Sequence, residues 1–157
     1  MDNKKNTDKD IIINSILGME KYYPEYIRFS KDTLNNLYDR DDTLCLTHII
    51  DNKIVGYIIS ILPKKDDIVF YSNCLIKYNS PIIIGIAVLE EYREKGIGLE
   101  LLNKLFTKLC SIGYNKVFLE VLIDNVKAIN LYSKIGFEIK KQKEEEGHAY
   151  FIMCKKL

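Results

Sequence analysis

Two hydrophobic periods run through this chain, and they are clearest in its second half. Residues 82–88, IIIGIAV, are almost wholly apolar and β-branched, as expected of a strand covered on both faces. Beyond a polar stretch, Leu101, Leu102, Leu105, Phe106 and Leu109 recur at helical spacing, predicting a helix over 97–112 with Gly113 as its C-cap. Residues 117–123 form another apolar run. Asp124 or Asn125 then caps a helix whose expected inner face is Ala128, Ile129, Leu131 and Tyr132, and Gly136 closes it. Further strands are expected near 137–140 and 148–155. The strand-helix-strand order predicts parallel pairing of 82–88 with 117–123.

The first half has weaker signals. Residues 1–9 are polar and read as a flexible arm, with the domain proper spanning 10–157. Ile12, Ile13, Ile16, Leu17 and Met19 predict a helix over 10–22, which Pro24 ends. A second helix is expected from Ser30 or Asp32 to Tyr38, with Leu34 and Leu37 inward. Residues 44–50 and 53–62 read as a β-hairpin turning at Asp51-Asn52. The stretch 68–78 is ambiguous and reads as a strand or hairpin insert.

Composition narrows the class. A chain of 157 residues, 47% hydrophobic and 29% charged, suits one globular domain. Its net charge of +1 gives no global field toward nucleic acid or an anionic membrane. No apolar run reaches spanning length, and the start lacks the apolar centre of a secretory signal. The four cysteines, Cys45, Cys74, Cys110 and Cys154, have no metal-ligand spacing, so no metal is expected. Cys45, Cys110 and Cys154 read as packed thiols in a reducing, cytoplasmic setting. The run Lys140-Lys141-Gln142-Lys143, answered by Glu144-Glu145-Glu146, reads as a solvated hairpin.

The chemistry begins at the junction between strand 82–88 and the next helix. There Arg93-Glu94-Lys95-Gly96-Ile97-Gly98 puts two glycines where a helix opens. Bare backbone N–H groups and the helix dipole together suit a phosphate-type anion. The spacing is not a Walker loop, because Leu99-Glu100 stands where Lys-Ser/Thr is needed. It is not a dinucleotide fingerprint either, because only GxG is present. A turn shaped by glycine, with no ligand, remains the plain alternative for the loop taken alone.

Arg93-x-x-Gly96-x-Gly98 after Ile86-Ala87-Val88 and Tyr92 resembles the pyrophosphate loop of the GNAT superfamily of acyl-CoA N-acyltransferases. Leu119-Glu120-Val121, Asn125, Ala128-Ile129, Leu131-Tyr132 and Gly136-Phe137 extend the resemblance over roughly half the chain. The second set is most similar to protein N-terminal acetyltransferases, including the bacterial ribosomal-protein alanine acetyltransferases. The resemblance implies a single-domain α/β GNAT-like fold: a mixed, mostly antiparallel sheet with a splayed parallel central pair, flanked by helices. The strand that usually opens that fold is not evident in residues 1–9.

The resemblance also implies acetyl-CoA as donor, with coenzyme A as product and a primary amine as acceptor. Ile86, Ala87 and Val88 with Arg93, Glu94, Lys95, Gly96, Ile97, Gly98 and Leu99 would hold the coenzyme, its pyrophosphate resting on amides 94–99. Asn125 would bond the pantetheine arm beyond any role as N-cap. Tyr23 and Pro24 would line the acceptor channel.

Two residues are the expected catalysts. Glu120 interrupts an apolar strand, where a carboxylate is costly unless solvated or paired; the family implies that it activates the amine through water. Tyr132 lies on the expected inner helix face, and the family uses a matching Tyr to protonate the leaving thiolate. An ordinary ion pair at Glu120 and a packing role for Tyr132 are the plain alternatives. His148 precedes the last strand and stays outside the catalytic set; His48 has no evident partner. The expected acceptor is a protein α-amine. A lysine, a polyamine- or aminoglycoside-type amine, and a non-catalytic acyl-CoA-binding regulator are the competing readings. The sequence leaves an auxiliary subunit open.

Overall fold

A computed structural model describes residues 2–63 and 80–157, with side chains from residue 8 onward. The ambiguous stretch 68–78 lies outside the described residues. In chain order the main elements are α1 (Asp2–Glu20), α2 (Lys31–Asp39), β1 (Thr43–Ile50), β2 (Lys53–Ile61), β3 (Ile82–Val88), α3 (Ile97–Ser111), β4 (Lys116–Leu122), α4 (Val126–Lys134), β5 (Glu138–Glu145) and β6 (His148–Lys156). The strand order is β1-β2-β3-β4-β6-β5. The α/β class and mixed sheet are those expected. β3 pairs in parallel with β4, Ile82 with Phe118 and Ile83 with Leu119, whereas β4–β6 and β5–β6 are antiparallel.

The described residues group into two compact units, 1–59 with 85–105 and 60–84 with 106–157. The first contains α1, α2, the β1–β2 hairpin and the opening of α3. Its helix α1 begins at Asp2 rather than at Asp10. No proline or glycine interrupts residues 2–17, so nothing breaks the helix ahead of its apolar face. That face is Ile13, Ile16 and Met19, all buried. Ser30 caps α2 by accepting the Thr33 N–H, and Leu34 and Leu37 point inward as expected. Asp51 and Asn52 both adopt positive φ, 48° and 62°, the tight turn that a two-residue hairpin needs.

The second unit is built on β4, β6 and β5. Along β4, Val117, Leu119 and Val121 are buried and alternate with half-buried Lys116, Phe118, Glu120 and Leu122. Leu109 of α3 is fully buried, and Gly113 ends the helix at φ 93°. Three expectations need correction. β3 is only partly covered, with Ile84, Gly85 and Ile86 half-buried. On α4 only Tyr132 is buried, while Leu131 is exposed; a nine-residue helix presents too narrow a stripe to bury four side chains. Cys110 is also exposed, because it lies on the polar side of α3 between buried Leu109 and solvent-facing Ser111.

Candidate active site

In the first unit, the turn after β3 is held by its own side chains. Arg93 Nε donates to the Val88 carbonyl at 3.0 Å, and Lys95 Nζ donates to the Glu91 carbonyl at 2.9 Å. Glu94 and Gly96 take positive φ, 61° and 83°, so the chain reverses twice before α3 starts. Arg93 therefore braces the loop. The Glu100 N–H is the amide that closes on Gly96 O, at 3.0 Å. The amides of Ile97, Gly98 and Leu99 precede that first closing bond, where a helix leaves its donors without an intrahelical acceptor. A Cβ added at Gly98 would meet nothing within 4 Å. The loop thus presents three amides beside open space, a fit for a pyrophosphate.

The same unit contains a buried carboxylate that the sequence reading passed over. Glu20, at the end of α1, is only 5% exposed. It accepts the Tyr57 hydroxyl and, at 3.0 Å, the Phe29 N–H. Burial raises the Tyr57 phenol well above its usual range, and the Glu20 charge and hydrogen bond add to the effect. These bonds fasten both ends of residues 20–29, the segment that carries Tyr23 and Pro24. Arg28 closes it further, its Nη2 donating to the Lys21 carbonyl at 3.0 Å and its Nε to the Tyr23 carbonyl. Pro24 is exposed and Tyr23 half-buried. Tyr23 titrates above its usual range because of burial, opposed by the Arg93 charge and aided by Glu20. The only sequence signal for Glu20 was an acidic residue on the apolar stripe of α1, one position past Met19.

In the second unit, strand register sorts the candidates by face. Glu120 stands beside Ile152 and Lys141, and Leu122 beside Tyr150 and Lys143. Cross-strand partners and residues two apart share a face, so all six project to one side. Lys143, read as part of a solvated hairpin, is in fact 6% exposed. Its Nζ lies 2.7 Å from Glu120 Oε2 and 3.1 Å from Glu145 Oε2. Burial works to lower the Lys143 pKa, but the bonds and charges of Glu120 and Glu145 prevail and hold it above the usual lysine range. The apolar strand therefore carries its carboxylate as a paired one.

Tyr132, on α4, is buried. Its ring meets Phe137 edge-on, 5.7 Å between centroids, and Phe137 lies 6.1 Å from Phe106. Lys155, which stands beside Val117 in the register, places its Nζ 5.6 Å from the Phe106 centroid. Tyr132 therefore belongs to an aromatic group with Phe137 and Phe106. Asn125 caps α4: its Oδ1 accepts the Ala128 N–H at 3.2 Å. His148 stands beside Glu145 at the start of β6. His48 lies elsewhere, its Nδ1 3.4 Å from Glu100 Oε1. Among the described residues, no cluster of three or more His, Cys, Asp or Glu could hold a metal ion.

Residues 13–137 match the acetyltransferase (GNAT) family, and the chain belongs to it. It is 32% identical over 139 residues to an N-alpha-acetyltransferase of Sulfurisphaera tokodaii, covering 87% of this chain and 78% of that protein. Its fold is similar to that of the ribosomal-protein-S18-alanine N-acetyltransferase from Escherichia coli (TM-score 0.75, 19% identity, 92% of this chain and 86% of that one). It is also similar to the PaiA N-acetyltransferase from Thermoplasma acidophilum, solved with coenzyme A (TM-score 0.71, 23% identity, 96% and 94% covered). The protein is an acetyl-CoA-dependent N-acetyltransferase.

Proposed function

We propose that the acceptor is the N-terminal α-amine of a protein or peptide, acetylated by direct attack while acetyl-CoA is bound. The observation that supports this reading is the Glu120 carboxylate on β4, half-buried among apolar neighbours and still meeting solvent. The amine nitrogen attacks the thioester carbonyl from the Glu120 side. The C–N bond forms, the C–S bond breaks, and the amine proton passes through water to Glu120. Tyr132 gives its hydroxyl proton to the departing thiolate, and solvent returns the Glu120 proton to the phenolate. The products are the acetylated amine and coenzyme A. No cysteine nucleophile takes part.

Two considerations favour an α-amine over a lysine. An α-amine, with pKa near ~8, is partly neutral at neutral pH, while lysine, near ~10.4, is almost wholly charged. An acceptor that is already partly neutral makes the smaller demand on a base. The relative named an N-alpha-acetyltransferase supports the same choice. In this reading Ile86 to Val88 and Arg93 to Leu99 hold the coenzyme, with its pyrophosphate on the amides at the start of α3. Asn125 holds the pantetheine arm with the part of its side chain not used as cap. Tyr23 and Pro24 line the acceptor path, on a segment that Glu20 keeps in place.

The test is a panel of acceptors assayed side by side for coenzyme A release: peptides with free N-termini, N-blocked peptides bearing lysine, and polyamines. Highest kcat/KM with the free N-termini is expected. Preference for polyamine or lysine would replace the acceptor assignment.

A further inference from the structure

The second unit contains a buried charged group that the reaction above does not use. Lys143 comes from β5, an edge strand whose other residues are mostly solvent-facing, yet its ammonium is among the few buried charges. Burying an ammonium is costly unless good ion-pair geometry offsets the lost hydration. Replacing such a pair with apolar side chains is often neutral for stability, so stability alone does not account for a lysine here. What the ammonium does specifically is fix a carboxylate. It reaches across the intervening strand β6 to Glu120, 2.7 Å away, and is itself steadied from behind by Glu145 at 3.1 Å. The Tyr150 ring lies beneath it, 5.3 Å from Nζ to the centroid, and Tyr150 is the β6 residue beside Lys143 in the register. Side-chain exposure of 3% at Lys143 against 19% at Glu120 shows which partner is anchored and which still meets solvent.

We propose that Lys143 is a positioning residue for Glu120: anchored by Glu145 and Tyr150, it holds the carboxylate in the orientation in which it serves the acceptor amine. The inference rests on Glu120 being the base. It adds a residue that fixes where that carboxylate stands. Lys143 touches neither donor nor acceptor. Its loss therefore acts on turnover and leaves coenzyme binding alone. Arginine, with a longer fork that reaches the same carboxylate, recovers part of the function.

The experiment compares steady-state kinetics of wild type, Lys143→Met, Lys143→Arg, Glu120→Gln and the Lys143→Met/Glu120→Gln double variant, using one free N-terminal peptide. Expected results are a kcat about tenfold lower in Lys143→Met, with acetyl-CoA KM unchanged, and partial recovery in Lys143→Arg. The double variant should be no slower than Glu120→Gln alone, because the two residues act through one carboxylate. Lys143→Gln, shorter and uncharged but still polar, takes the place of Lys143→Met if the latter fails to fold, with the same expectation. Wild-type kcat in a folded Lys143 variant, or additive losses in the double variant, would overturn the inference while leaving Glu120 as base. Wild-type kcat in Glu120→Gln would instead remove the base itself, so the two failures are distinguishable.

Discussion

The Glu20 carboxylate receives the Tyr57 hydroxyl in the interior of the first unit, joining the end of α1 to β2. With the Phe29 N–H on its other oxygen, Glu20 ties down the turn between α1 and α2. Tyr57 keeps its proton in the folded protein well above the usual phenol range, because burial and the adjacent carboxylate both disfavour the phenolate. Once unfolded, it ionises near ~10. The folded state then binds more protons than the unfolded one, so this stabilisation is complete below about pH 10 and is lost as pH rises beyond it. Tyr57→Phe should lower stability at pH 7 by about 1–3 kcal/mol, since a buried carboxylate loses a partner. It should also flatten the alkaline fall of stability. Denaturant melts from pH 7 to 11 check both, and an alkaline limb unchanged by the substitution would contradict the assignment.

Gly98 and Gly85 should respond in opposite ways. A side chain at Gly98 enters open space in the free protein, so Gly98→Val should fold normally and yet bind acetyl-CoA at least about tenfold more weakly. A Cβ at Gly85 would lie 2.6 Å from Phe29 Cε2. Gly85→Ala should therefore destabilise the protein by about 1–3 kcal/mol. Calorimetry for the first and thermal melts for the second separate a binding loop from a packing contact. Normal coenzyme affinity in Gly98→Val would remove the loop assignment.

Tyr132→Phe keeps the ring that packs on Phe137 and removes the hydroxyl alone. Turnover should fall by roughly 10²–10⁴-fold if that hydroxyl protonates the thiolate, with acetyl-CoA affinity nearly unchanged. A folded variant turning over at the wild-type rate would make Tyr132 a packing residue.

Thiol reactivity follows burial. Burial pushes the Cys45 thiol up to about 11, and burial, only partly opposed by nearby lysines, raises Cys154 as well. Cys110 is exposed. Under native conditions at pH 7–8, iodoacetamide followed by peptide mapping should modify Cys110 well before Cys45 or Cys154. Rapid labelling of Cys45 in the folded protein would contradict its packing.

Much of this was legible from residue order alone, for identifiable reasons. β3, α3, β4 and the Asn125 cap are local patterns: an apolar run, a helical period and a side chain reaching three residues ahead. The glycine turn was legible because Gly96 stands where positive φ is needed. Lys143 and Glu20 were not. Each is a charged residue whose burial depends on partners far along the chain, Glu120 for the first and Tyr57 for the second, and no local period encodes such pairing. Local pattern also misled at Leu131, where an apolar residue at helical spacing lies on a face that the short α4 leaves exposed.

The central claim, acetyl transfer to an α-amine, is tested most directly by locating the acetyl group on a single acceptor. A peptide with both a free N-terminus and an internal lysine would be incubated with the enzyme and acetyl-CoA near neutral pH, and fragmented by mass spectrometry. The account predicts the added acetyl on the N-terminal residue, with the lysine unmodified at early times. Acetyl found first on the lysine would contradict it.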